Sequence, residues 1–305
     1  MQLLIAVNCS ARKTASPAPN LRARTLSRGT PADLADEWRA RCSENAQRIA
    51  AGSLYAGRGF SLAYRVARSA GAELRVISAG MGLLRPETTI PPYSLTLSQS
   101  AADCIFRRAS PRDTFTPDAW WEAIRARSKS TRPFARLLSI YPKSLLLLAV
   151  SSPYLAMIAG ELKTLAEGDR DRIRLVGPTR VQLLPEELRP NALPYDARLN
   201  DVGATLRGTA FDFPSRALGH FVELIRHDKR VGDCASHARR VRQSLAYLTA
   251  PEHHRRKRVD DITLQRKIRA LKAQNFSRTA GLRHLRGELA LACEQERFAI
   301  AWGHR

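Results

Sequence analysis

The chain has 305 residues, 44% of them hydrophobic and 26% charged. That length holds one large or two ordinary domains of about 100–200 residues, and the composition excludes disorder, collagen-like repeats, coiled coils and disulfide scaffolds. Fifty Lys and Arg against 28 Asp and Glu leave a formal net charge of +22, a surface that attracts polyanions and points to nucleic acid as partner.

The first apolar run, Leu3–Val7, has no basic stretch ahead of it and polar residues directly after it, so it is expected to be a strand, not a signal peptide. Three similar runs follow at Leu74–Ile77, Leu145–Val150 and Ile173–Val176. All are continuous rather than alternating, the pattern of strands buried on both faces of a parallel sheet. None approaches the roughly 20 residues needed to span a bilayer. Helical spacing falls between them at Phe60–Ala67, Trp120–Ser128 and Tyr154–Ala166. Strand–helix–strand alternation predicts an α/β three-layer sandwich with a short parallel sheet and right-handed crossovers. A Pro-rich connection, 185–200, leads to a helix over Phe211–Ile225.

From Arg226 to Arg286 there are 17 Lys and Arg against 5 Asp and Glu, centred on Arg255, Arg256, Lys257 and Arg258. Helices are expected over Thr263–Lys272, with Leu264, Ile268 and Leu271 inward, over Arg278–Arg286 with Ser277 as N-cap, and over Leu289–Trp302 after a turn at Gly287. Short helices bearing Arg278, Arg283 and Arg286 suit a helix-turn-helix-like, nucleic-acid-binding region. The expected division is 1–225 for an α/β catalytic domain and 226–305 for the basic helices. The five cysteines are scattered without metal-ligand spacing, and His253-His254 sits in a charged run. No metal, cofactor or membrane partner is expected, the compartment is expected to be the cytoplasm, and a monomer is expected rather than an obligate oligomer.

In an open parallel sheet, ligands bind beyond the C-terminal strand ends, where the strand order reverses. The segments that follow the four runs are Asn8-Cys9-Ser10-Ala11-Arg12-Lys13, Ser78 through Gly80, Gly82 and Glu87 to Tyr93, Ser151-Ser152-Pro153-Tyr154, and Gly177-Pro178-Thr179-Arg180. They are small and hydrogen-bonding, so Cys9, Ser10, Ser78, Gly80, Gly82, Tyr93 and Ser151 form a candidate base pocket. Asn8 both donates and accepts, as reading a base edge requires, or it only ends the strand. Acids in reach are Glu87, Asp196, Asp201 and Asp212. There is no GxSxG, and every His lies from His220 onward.

The pattern Asn8-Cys9-Ser10-Ala11-Arg12-Lys13, Tyr55-Ala56-Gly57 and Ser78-Ala79-Gly80-Met81-Gly82-Leu83-Leu84-Arg85-Pro86 up to Ile90-Pro91-Pro92-Tyr93 resembles a family of bacterial proteins of mostly unassigned function. That family is similar to the uracil-DNA-glycosylase-like superfamily and, more distantly, to archaeosine-synthase-type base-modifying proteins. The resemblance covers roughly 1–225 and implies a DNA glycosylase of phage defence acting on glucosylated hydroxymethylcytosine. Uracil-DNA glycosylases carry Gly-Gln-Asp-Pro-Tyr and His-Pro-Ser where this chain has Asn8 to Arg12 and Gly177-Pro178-Thr179. Small residues thus replace a steric gate against 5-substituted pyrimidines, and plain uracil is a poor substrate.

Such an enzyme would flip a base from double-stranded phage DNA and hydrolyse its N-glycosidic bond. Asn8 is assigned to the base, Asp201 or Glu87 to the sugar or water, and Tyr93 to stacking or pocket closure. Arg12, Lys13 and the C-terminal arginines are assigned to phosphates, with Lys13 as a Schiff-base nucleophile the lesser alternative. A tRNA modified-base transferase or hydrolase, and a nucleotide-sensing DNA-binding regulator without catalysis, stay open.

Overall fold

A computed structural model describes residues 2–111, 115–128, 130–177, 181–203, 208–209, 211–250 and 256–303. The chain forms two compact units, Met1–Ala250 and Pro251–Arg305. In order, the first holds β1 (Gln2–Asn8), α1 (Pro31–Glu44), β2 (Ile49–Ala50), α2 (Ala51–Leu54), α3 (Arg58–Ser69), β3 (Glu73–Ser78), β4 (Gly82–Leu84), β5 (Thr89–Ile90), α4 (Pro117–Ala126), α5 (Pro133–Ile140), β6 (Ser144–Ala149), α6 (Ser152–Lys163), α7 (Glu167–Arg170), β7 (Ile173–Leu175), α8 (Phe213–Leu224) and α9 (Cys234–Leu245). The second holds β8 (Lys257–Arg258), α10 (Asp261–Ala273), α11 (Arg278–Arg286), β9 (Leu291–Ala292) and α12 (Gln295–Trp302).

All four continuous apolar runs become strands of one five-stranded sheet, ordered β4-β3-β1-β6-β7. β3, β1, β6 and β7 run parallel, with Val7 opposite Val76 and Ala149. Every residue of β6 is buried, as its run of four leucines requires. From β1 the chain moves one way along the sheet to β3, and from β6 the other way to β7. Right-handed crossovers therefore put α3 and α6 on opposite faces. Helix α8 packs beside α3, while α4 packs on α6 and α1 on α4. The strand order reverses between β1 and β6, which makes their C-terminal ends the switch point.

β4 is a departure from the expected pattern. It returns antiparallel to β3, with Ser78 opposite Gly82 and Val76 opposite Leu84. Gly82 opens it at φ +76, a conformation that glycine adopts freely. The hairpin carries Arg85–Glu87 back toward the N-terminal end of β3, where Glu87 lines a shallow cleft with Glu73 and Leu74.

The division between units falls 25 residues after the expected boundary at 225, because α9 belongs to the first core. Its Val241 and Leu245 are fully buried there, and its His237 Nδ1 accepts a 2.9 Å hydrogen bond from Nε of Arg174 on β7. Burial, and then the Arg174 charge, push the His237 pKa down to about 4. An unfolded imidazole titrates near 6.5, so between pH 6.5 and 4 the unfolded chain takes up a proton that the folded chain refuses. Stability is thus complete above pH 6.5 and falls as pH drops toward 4, by on the order of 2–3 kcal/mol. Urea midpoints at pH 7 and pH 4.5 check this. His237→Gln is expected to lose clearly less stability over that interval than the wild type, and equal losses would rule the mechanism out.

In the second unit Leu264, Ile268, Leu271, Leu285 and Phe298 form a small core of their own. Ser277 caps α11 by accepting from the Ala280 N–H, as its position before Arg278 predicts. The expected helix over Leu289–Trp302 is shorter. Leu291–Ala292 pair in parallel with Lys257–Arg258 instead, and α12 begins only at Gln295. No helix among the described residues is long and apolar enough to cross a membrane.

Candidate active site

Cys9, directly after β1, is 4% exposed, and its Sγ lies 3.1 Å from the hydroxyl of Tyr154 in the first turn of α6. Tyr93, 1% exposed, also points its hydroxyl at this sulfur, 3.8 Å away. The same hydroxyl shares hydrogen bonds with Ser78 Oγ at 2.6 Å and Tyr55 OH at 2.8 Å. Ser78 ends β3, and its Oγ accepts the backbone N–H groups of Gly80 and Met81. Burial holds the pKa of all three phenols well above the ordinary value, so they stay protonated donors. The cluster joins strand ends and loops that are far apart in the chain.

Lys13 closes the cluster from one side. Its Nζ lies 4.3 Å from the Tyr93 ring centroid and 5.6 Å from that of Tyr55. A bridge between the Lys13 and Tyr55 backbones fixes the segment, and Nζ donates to the Ser10 carbonyl at 3.4 Å. Burial lowers the Lys13 pKa, opposed by the nearby Cys9 and Asp103.

The structure thus gathers Cys9, Lys13, Ser78 and Tyr93 of the predicted site, and adds Tyr55 and Tyr154. Other predicted residues serve the scaffold. Asn8 ends β1 with both ends of its amide engaged: Oδ1 accepts from the Ser151 N–H at 3.0 Å, and Nδ2 donates to the Cys9 carbonyl at 2.9 Å. It clamps β1 to the β6–α6 loop across the switch point, the strand-ending role that its position also suggests. Ser151 is the N-cap of α6 but makes no capping bond through its side chain. Ser10 Oγ donates to the Arg12 carbonyl and accepts the Gly57 N–H, locking the loop to the start of α3.

Gly80 is small because two aromatic side chains press on it: a Cβ there would meet Tyr93 at 3.0 Å and Trp38 at 3.1 Å. Trp38 donates its indole N–H to the Gly80 carbonyl and Trp120 to that of Ala79. The small residues of this loop therefore admit the two tryptophans against its carbonyls. Tyr93 is no exposed stacking platform either, since Lys13 covers its face and Trp38 meets it edge-on at 5.8 Å.

The predicted acids lie elsewhere. Glu87 is exposed at the opposite end of β3, for the hairpin reason given above. Asp201 is exposed and accepts from the Thr249 N–H. Asp196 pairs with Arg198. Asp212 is buried against Arg216 at 3.0 Å, with Arg58 at 3.1 Å. No carboxylate is hydrogen-bonded or ion-paired to any cluster side chain among the described residues. Nor does any group of three or more His, Cys, Asp and Glu with metal-binding geometry occur among them.

On the second unit, Arg256, Lys257, Arg258, Arg278 and Arg283 are exposed, joined by Arg266, Lys267 and Arg269 of α10. Arg286 is turned inward, where its guanidinium donates twice to the Cys293 carbonyl at 2.7 and 3.0 Å and fastens α11 to β9. Arg255, the His253-His254 pair, and Pro178, Thr179 and Arg180 after the fourth strand lie outside the described residues.

Fold and site define an α/β protein with a five-stranded, mostly parallel sheet and a buried thiol–phenol–hydroxyl cluster at its switch point. Residues 41–111 match a family of unknown function, DUF6884. The matched segment contains Tyr55, Ser78 and Tyr93 of the cluster but not Cys9, Lys13 or Tyr154. No curated protein and no solved structure matches the chain.

Proposed function

We propose that this chain is a DNA glycosylase with a uracil-DNA-glycosylase-like α/β unit, releasing a modified cytosine, of the glucosylated hydroxymethyl type, from phage DNA. The observation that carries the proposal is the Cys9–Tyr154–Tyr93–Ser78 cluster at the switch point, covered by the Lys13 amine. A flipped base there meets fixed, protonated donors in a site screened from water, where they stabilise charge on a leaving base most strongly. The C1′–N bond breaks with its electron pair going to the base. Water supplies the hydroxyl to C1′ and the proton to the base. Two further features support DNA as substrate: the net charge of +22, and a helix pair, α10 and α11, joined by a four-residue turn and rich in exposed arginine.

The test is an abasic-site assay on unmodified DNA, uracil-containing DNA and phage DNA with glucosylated hydroxymethylcytosine, followed by an abasic-site endonuclease. Strand breaks are expected in the modified DNA alone. Intact DNA in every lane would remove the proposal. Tight sequence-specific binding with no base release would then favour a regulator, for which the separate compact helical unit provides the means.

Phosphate contacts by α11 are testable on their own. Arg278→Ala with Arg283→Ala is expected to weaken binding evenly across sequences and to reduce the slope of log K against log salt by about 2. Fluorescence anisotropy at several salt concentrations reads this, and an unchanged slope would take α11 off the DNA.

A further inference from the structure

The strip before α1 and the segment between β5 and α4 enclose an open cleft of about 720 Å³, apart from the Cys9 cluster. That volume falls within the roughly 300–1,000 Å³ typical of small-molecule sites. Three arginines line it: Arg28, shortly before the N-cap of α1, and Arg107 and Arg108 on the short turn Ile105–Arg108. Gln99 extends the polar rim, and Phe106 and Phe115 form an apolar wall, their rings edge-on at 5.6 Å. The two sides are joined by backbone. The Gly29 N–H donates to the Arg108 carbonyl at 3.1 Å, and the Ser110 N–H to the Gly29 carbonyl at 3.0 Å. Two guanidiniums are held in place as well: Arg107 Nη2 donates to the Gln99 carbonyl at 2.9 Å, and Arg108 Nε to the Ser27 carbonyl at 3.3 Å. Each uses one guanidinium N–H for this and keeps the rest for a ligand.

The neighbouring acids are committed elsewhere. Asp103 accepts from Ser94 Oγ at 2.7 Å and from the Arg24 N–H at 3.1 Å, and Glu37 pairs with Arg41. Among the described residues no carboxylate pairs with Arg28, Arg107 or Arg108. Three like charges on one concavity repel each other, and an anion of comparable charge relieves that repulsion through charge-assisted hydrogen bonds. A nucleoside diphosphate carries about three negative charges near neutral pH and brings an aromatic base to the phenylalanine wall. Duplex DNA fits a concavity less well, because its phosphates lie on a convex surface and its bases are stacked inside. We propose that this cleft binds a free nucleoside diphosphate, with its phosphates on Arg28, Arg107 and Arg108 and its base against Phe106. The site is separate from the Cys9 cluster, and the proposal does not rest on the glycosylase reading.

Isothermal titration of the full chain at about 0.15 M salt tests this, with adenosine diphosphate, cytidine diphosphate, inorganic pyrophosphate and a short single-stranded oligonucleotide as probes. A single nucleotide site per chain is expected, with pyrophosphate at least about tenfold weaker because it lacks the base. Arg107→Gln with Arg108→Gln is expected to weaken nucleotide binding at least about tenfold, at an unchanged melting temperature. Phe106→Leu should bring the nucleotide down to the affinity of pyrophosphate. Arg278→Ala with Arg283→Ala, on the second unit, should leave nucleotide binding as it is. Absence of nucleotide binding, or binding that ignores the Arg107 and Arg108 changes, would overturn the proposal. Equal affinity for pyrophosphate and the diphosphates would reduce the cleft to an anion site and overturn the nucleotide assignment. A nucleotide that binds Phe106→Leu as tightly as the wild type would overturn the placement of the base. Binding of the oligonucleotide alone, lost with Arg107 and Arg108, would give the cleft to a DNA strand instead. None of these outcomes bears on base release, so the two proposals fail separately.

Discussion

Replacing Asp212 with alanine is expected to destabilise the first unit by about 3–5 kcal/mol, the cost of leaving a buried charge uncompensated. Arg216 is 1% exposed and Asp212 is 2% exposed. The guanidinium donates from Nε to Asp212 Oδ1 at 3.0 Å, from one terminal nitrogen to Asn200 Oδ1 at 2.7 Å, and from the other to the Thr209 carbonyl at 3.0 Å. Without Asp212 the neutral acceptors remain but the opposite charge is gone. Asp212→Asn keeps an acceptor and should lose less. Asp212→Ala combined with Arg216→Met should regain much of the loss, because an apolar pair of similar volume carries no desolvated ion. Urea midpoints of the three variants decide the matter, and a loss below about 1 kcal/mol for Asp212→Ala would mean that solvent reaches the arginine. The effect extends to the strand ends, since Pro214, two residues on, packs against Gly177 after β7.

The second large effect is on the base release proposed above. Tyr93→Phe is expected to slow single-turnover base release about 100-fold while costing on the order of 1 kcal/mol in stability. Its hydroxyl is the hub through which Cys9, Tyr55 and Ser78 are mutually oriented, so Tyr93 is a positioning residue. A purely structural part would lower the melting temperature and leave the rate per folded molecule unchanged. The expected pattern is the reverse: kcat falls, KM stays within about threefold, and the shift in melting temperature is small. An unchanged turnover would detach the hydroxyl network from the chemistry.

How legible the fold was depended on which interaction made each element. β1, β3, β6 and β7 were readable because burial on both faces leaves an unbroken apolar run, and α6 because its apolar residues recur at helical spacing. α1 escaped notice because Leu34, Ala35, Trp38 and Cys42 are its only buried residues in a helix otherwise polar, charged or exposed. Yet a local signal was present: Thr30 and Asp33 form a capping box around Pro31. Gly80 and Gly82 were visible as special positions, open to either a pocket or a turn. They make a tight return into β4, and that return reverses the chain and puts Glu87 at the wrong end of the sheet. Val241 and Leu245, four apart on α9, carried a readable inward face that would have moved the domain boundary.

The candidate site was legible where it followed a strand directly, at Cys9 and Ser78. Lys13 and Tyr93 were named as well, but Tyr55 and Tyr154 were not, because Tyr154 meets Cys9 across 145 positions and Tyr55 meets Tyr93 across 38. No periodicity encodes such contacts. Asn8 shows the converse: its residue type suits a base edge, but the structure engages both ends of its amide in holding β1 to the β6–α6 loop.

The two borders of the sheet have a consequence of their own. β4 and β7 are each only three residues long. On the outer side of β7, the carbonyls of Ile173 and Leu175 are taken by the Asn191 side chain and the Leu193 N–H. A bare border strand is a template on which another polypeptide can lay itself, and short or covered borders remove that hazard. On its β7 border this sheet therefore offers a visiting strand no free Ile173 or Leu175 carbonyl, and its β4 border presents only three residues to pair with.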